Sequence, residues 1–66
     1  MKMKRKGREY DEKDIARLRT EKARAEKWLI KNFAEADYQS IEGQKHLVNE
    51  AHDVITAWDR RWAKRP

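Results

Sequence analysis

The apolar residues Leu47, Val48, Ala51, Val54, Ile55, Trp58 and Trp62 recur at steps of one, three or four. That spacing lays all seven along one face of a helix, whereas a strand would need a period of two. An apolar stripe must close on another, and the chain holds one more candidate. Ile15, Leu18, Ala25, Leu29 and Phe33 follow at steps of three, seven and four. Lys22 interrupts this first stripe, although a long Lys stem can lie on apolar surface with its ammonium in water.

The boundaries follow from caps and breakers. Asp11 suits an N-cap, with Glu12 and Asp14 behind it in the first turn, where carboxylates favour the positive helix end. The segment FAEADYQSIEGQ breaks the first stripe. Asp37 and Ser40 are both candidate caps there, and Gly43 weakens a helix that contains it. The pattern predicts helix 1 over about residues 11–34, a turn at about 35–40 and helix 2 over about 41–64. The expected fold class is all-α: an antiparallel helical hairpin over residues 10–66, preceded by a disordered basic arm at residues 1–9.

A chain of 66 residues makes one small domain and buries little surface per residue. It has no Cys, so neither disulfides nor zinc–thiolate sites can staple it. Two helices also leave half of each apolar face wet. The expected remedy is a homodimer that completes a four-helix bundle across a two-fold axis. A larger protein covering the same stripe would serve as well. Val54, Ile55, Trp58 and Trp62 are the candidate interface residues in either case.

Charge is distributed unevenly. Charged residues are 44% of the chain and the net charge is +5, against about 25% charged residues in an average domain. Lys2, Lys4, Arg5, Lys6 and Arg8 give residues 1–8 five cations and no acid. Residues 9–57 carry eight cations and eleven acids, and residues 58–66 four cations and one acid. Basic ends around a mildly acidic middle suggest an anionic partner. No apolar run is long enough for a membrane span, and no apolar stretch follows the basic start as in a secretory signal. The expectation is a soluble, cytoplasmic protein that does not bind membranes.

Helix 1 concentrates cations on the face away from its stripe. Lys13, Arg17, Thr20, Arg24, Lys27 and Lys31 fall within one sector roughly 80° wide. At about 1.5 Å per residue this ridge is roughly 27 Å long. Trp28 lies on its flank. Cations in a row beside an aromatic suit a phosphate backbone and an unstacked base. The competing reading is an ordinary solvated face, since helical spacing puts Glu21 within reach of both Arg17 and Arg24. An antiparallel hairpin would also gather the arm's cations beside Arg60, Arg61, Lys64 and Arg65, with Glu35, Asp37 and Glu42 at the opposite pole.

Catalytic and metal chemistry finds little footing. His46, Glu50 and Asp53 share one face of helix 2, but that face is expected to be exposed, with nothing to orient ligands. His52 lies about 120° away from His46 around the helix. The chain carries no Gly-rich phosphate loop and no nucleophile elbow. Two packed helices are expected to offer no concave pocket. The sequence therefore points to a non-enzymatic protein without cofactor or metal. The leading expectation is a small nucleic-acid-binding protein acting through Lys2, Lys4, Arg5, Lys6, Arg8, Lys13, Arg17, Arg24, Lys27, Trp28 and Lys31. The alternative is an inhibitor or adaptor that docks its Trp-rich helix face on a larger protein.

Overall fold

Lys6 and Gly7 both have positive φ, 52° and 78°. Two consecutive left-handed residues form the tight turn whose twist matches that of paired strands. Around it β1 (Lys2–Arg5) and β2 (Arg8–Asp11) run antiparallel, with Met3 opposite Tyr10 and Arg5 opposite Arg8. The structure is a computed structural model that describes residues 1–62. Two helices follow the strands, α1 (Glu12–Asn32) and α2 (Tyr38–Trp62). The protein is mostly helical, with one two-stranded antiparallel sheet.

The sheet corrects two expectations, the all-α class and the disordered arm. The arm orders because it does have something to bury. Alternation along β1 turns Met3 inward, 7% exposed, while Lys2 and Lys4 stay in solvent. Met3 joins Ile15, Val54 and Trp58 in one core cluster, against which Tyr10, Leu18, Ala57 and Trp62 pack.

No loop separates β2 from α1. Asp11 ends the strand and caps the helix: its Oδ1 accepts from the Asp14 N–H at 3.0 Å, and Asp14 Oδ2 accepts from the Asp11 N–H at 3.1 Å. This reciprocal box satisfies two otherwise orphaned donors. It also fixes the direction in which the sheet leaves the helix. The hydrogen bond from Asp14 holds the Asp11 carboxyl below its ordinary pKa.

Of the two candidate caps for α2, Asp37 is the one used. Its Oδ1 accepts from the Ser40 N–H at 2.7 Å, and its carbonyl accepts the first helical bond from Ile41 at 3.1 Å. The connection therefore occupies residues 33–37, and α2 starts at Tyr38, about three residues before the expected place. Gly43 lies within α2 and does not break it. The expected end of helix 2 near Lys64 lies outside the described residues.

The large buried side chains gather where the start of α1, the end of α2 and the sheet meet. Arg19 of α1 reaches Asp59 of α2 near this end, and Trp58 and Trp62 pack 6.0 Å apart between ring centroids with their planes tilted by 54°. Ala25 and Ala51 are buried farther along the helices. Around the connection, by contrast, Ile30, Phe33 and Tyr38 stand 85, 60 and 75% exposed. No helix among the described residues is long and apolar enough to cross a membrane.

Candidate nucleic-acid interface

Most of the N-terminal cations are already neutralised inside the molecule. Arg5 donates from Nε and Nη2 to the two carboxylate oxygens of Asp53, at 2.8 and 2.7 Å. Lys6 lies 3.5 Å from Asp53 and 3.7 Å from Glu50, and Lys2 lies 3.6 Å from Glu9. The Met1 ammonium sits 2.7 Å from Glu12. The turn of the sheet is thus tied to α2 by charge as well as by Met3. The Arg5 hydrogen bonds, helped by the charges of Arg5 and Lys6, hold the Asp53 carboxyl at a pKa of about 2. Lys4 and Arg8 remain exposed without a carboxylate partner among the described residues, and Arg8 lies 5.8 Å from the Tyr10 ring centre.

The ridge on α1 divides. Arg17 donates to Asp14 at 2.8 Å and is neutralised. Thr20 turns its hydroxyl back to the Ala16 carbonyl at 3.2 Å. Lys13, Arg24, Lys27 and Lys31 are exposed and make no ion pair among the described residues. Glu21 pairs with neither arginine within its reach. Lys22, on the apolar side, is half-buried and pairs with Glu26 at 3.2 Å.

Trp28 stands half-buried between two shallow concavities. Arg24, Lys27, Lys31 and Asn32 border it on one side, in a hollow of about 340 Å³. Glu21, Arg24, Ala25, Gln44 and Leu47 border it on the other, in a hollow of about 280 Å³. One N–H of the Asn32 side-chain amide donates to the Trp28 carbonyl at 3.0 Å. Three cations without an ion pair among the described residues therefore border one aromatic, from four and one positions before it and three after it.

The two basic ends do come together. Arg5, Arg60 and Arg61 border a common hollow with Asp53, and the Arg61 guanidinium lies 5.2 Å from the Trp62 ring centre. Lys64 and Arg65 lie outside the described residues. The candidate interface residues fare differently. Val54, Ile55 and Trp58 are 5, 8 and 6% exposed, and Val54 and Trp58 pack on the chain's own Met3 and Ile15. Trp62 is half-buried against the same cluster. Their apolar surface is spent within the chain, because the sheet covers what two helices alone would leave wet.

A groove contradicts the expected absence of concavity. Arg8 and Tyr10 of β2 form one wall, and Leu18, Leu47, Ala51 and Val54 supply apolar lining, around about 620 Å³. It exists because the sheet overhangs the helix pair at one end only. Sequence reasoning missed it along with the sheet. The available signal was the Lys6–Gly7 pair, with Met3 and Tyr10 at equal distance on either side of it. Glu50 and Asp53, considered with His46 as metal ligands, are engaged by Lys6 and Arg5. Among the described residues no group of three His, Asp or Glu is arranged to hold a metal ion. Compared with protein-family models, curated proteins and solved structures, the chain shows no significant match to any of them.

Proposed function

We propose that the chain is a small non-enzymatic protein that binds nucleic acid through its phosphate backbone. The observation that carries this is the set of cations left without carboxylates: Arg24, Lys27 and Lys31 around Trp28, with Lys13 farther along α1. Among the described residues nine other basic side chains pair with acids or lie over aromatic rings, and only Lys4 and Arg60 are free elsewhere. Lys and Arg in such a row neutralise phosphates and release condensed counterions. Contacts of this kind position a strand without reading its sequence. The contribution of the N-terminal segment narrows to Lys4 and Arg8, since Lys2, Arg5 and Lys6 are held by acids.

The test is a salt titration. Four phosphates neutralised by Lys13, Arg24, Lys27 and Lys31 give a slope of log K against log salt of about −3.6 on duplex and about −2.8 on single strands. Lys27→Glu combined with Lys31→Glu should abolish binding while leaving helicity by circular dichroism unchanged. Absence of binding at low salt, or an affinity indifferent to salt, would reject the proposal.

Homodimerisation and a cytoplasmic location belong to the same reading, with the two helices as an antiparallel hairpin. Exposed Ile30, Phe33 and Tyr38 support a docking surface for a second copy or a larger protein. That surface replaces the Trp-rich face in the adaptor alternative, because Val54, Ile55 and Trp58 are buried.

A further inference from the structure

The surroundings of Trp28 differ in kind on its two sides, and the difference bears on the form of the nucleic acid. One hollow is bordered by Arg24, Lys27 and Lys31. The other is bordered by Ala25 and Leu47, with the Gln44 amide and the Glu21 carboxylate at its edge. Arg24 and Trp28 border both. Phosphates are attracted to the first hollow, and Glu21 repels them from the second. The second has apolar carbon for a base face, and Gln44 offers a donor and an acceptor for a base edge.

We propose that Trp28 is a stacking platform for an unpaired base, so that the protein binds single-stranded nucleic acid in preference to duplex. This rests on the backbone-binding reading above. One base lies against Trp28 on the side of Ala25, Leu47 and Gln44, and the phosphates flanking it lie along Arg24, Lys27 and Lys31. Stacked bases within a duplex cannot reach the indole, whereas every unpaired base has a face to offer. Trp28 is free for this task because the core does not use it. Trp58 is 6% exposed in the central cluster, while Trp28 lies outside that cluster at the edge of α1.

The experiment compares oligothymidylate, oligouridylate and a duplex of the same length, all at low salt. The single strands should bind more tightly than the duplex and quench tryptophan emission on binding. Trp28→Leu keeps apolar bulk without an indole and should weaken single-strand binding roughly 5- to 150-fold, the range of one lost base stack. Its duplex affinity should fall much less. Trp28→Phe retains a ring, and should keep most of the affinity while losing the quench. The wild-type quench and the strand preference decide the matter even where Trp28→Leu lowers helicity. Equal affinity for all three probes, with no quench by the single strands, would overturn the stacking site and leave backbone binding standing. Failure of every probe to bind would remove both. Tighter binding of both single strands than of the duplex, with the quench, would support the site whichever of the two binds better.

Discussion

Arg5 and Asp53 are joined by two hydrogen bonds, Nε to Oδ2 at 2.8 Å and Nη2 to Oδ1 at 2.7 Å, across 48 positions of sequence. The fork of a guanidinium matched to both oxygens of a carboxylate is the most directional ion pair available to a protein. Here it fastens the turn end of the sheet to the middle of α2. One of the five arm cations expected to reach an outside partner instead fastens the fold.

This pair makes stability fall in acid. The Asp53 carboxyl titrates at about 2 when folded and near 3.8 when unfolded. A depressed folded value means that the contribution is complete above 3.8 and disappears as the pH drops toward about 2. Asp11 and Asp37 shift in the same direction, each through a backbone N–H bond at a helix start. Urea midpoints for wild type and Asp53→Asn should differ clearly at neutral pH and converge at the acid end of that window. A constant difference at all pH values would mean that the ion pair does not stabilise the sheet.

Met3 carries the apolar half of the same attachment. It is 7% exposed among Ile15, Val54 and Trp58. Met3→Ala removes a buried side chain at a cost of about 2–5 kcal/mol, a large fraction of the stability of so small a domain. Urea denaturation followed by tryptophan emission should show it. Deleting residues 1–8 removes Met3 along with five cations, so the truncated chain should unfold more easily as well as lose charge. Single charge substitutions are the cleaner probes of binding.

The two glycines should respond to Ala with opposite signs. Gly7 has φ 78° in the turn, where a Cβ costs about 1–2 kcal/mol. Gly43 is inside α2, and an added Cβ would meet nothing within 4 Å. There Ala gains about 0.8–1.0 kcal/mol of helix propensity. Thermal melts should move down for Gly7→Ala and up for Gly43→Ala, by about 4–8 °C per kcal/mol in a domain of this size.

How legible the chain was depends on the length scale of each signal. The helices were readable because Leu47 to Trp62 and Ile15 to Phe33 repeat their period over several turns. The Asp11 cap was readable because capping is local. The sheet was not, because four residues per strand give one inward side chain each, Met3 and Tyr10, and five cations surround them. Composition said unfolded arm, while two apolar residues paired across a turn said otherwise. The packing of the interface candidates was hidden for the same reason: Val54 and Trp58 meet Met3, and without the sheet they looked uncovered. The ridge was half legible. Helical geometry grouped its cations correctly, but spacing alone did not distinguish Glu21, which pairs with neither arginine, from Asp14, which holds Arg17.

Arg17 and Arg24 stand two turns apart on the same ridge, yet they should behave differently toward a polyanion. Arg17 is held 2.8 Å from the Asp14 carboxylate, so a phosphate must displace an existing partner and then sit beside an acid. Arg24 has no carboxylate among the described residues and borders both hollows beside Trp28. Arg24→Gln should therefore make the salt slope on single strands shallower by about 0.7, the contribution of one phosphate. Arg17→Gln should change it much less, and Asp14→Asn should steepen it by freeing Arg17, at some loss of helix capping. Fluorescence titrations of the three variants at several salt concentrations measure each slope. Equal effects of Arg17→Gln and Arg24→Gln would show that the ion pair with Asp14 does not persist in solution, and that the ridge binds as one continuous surface.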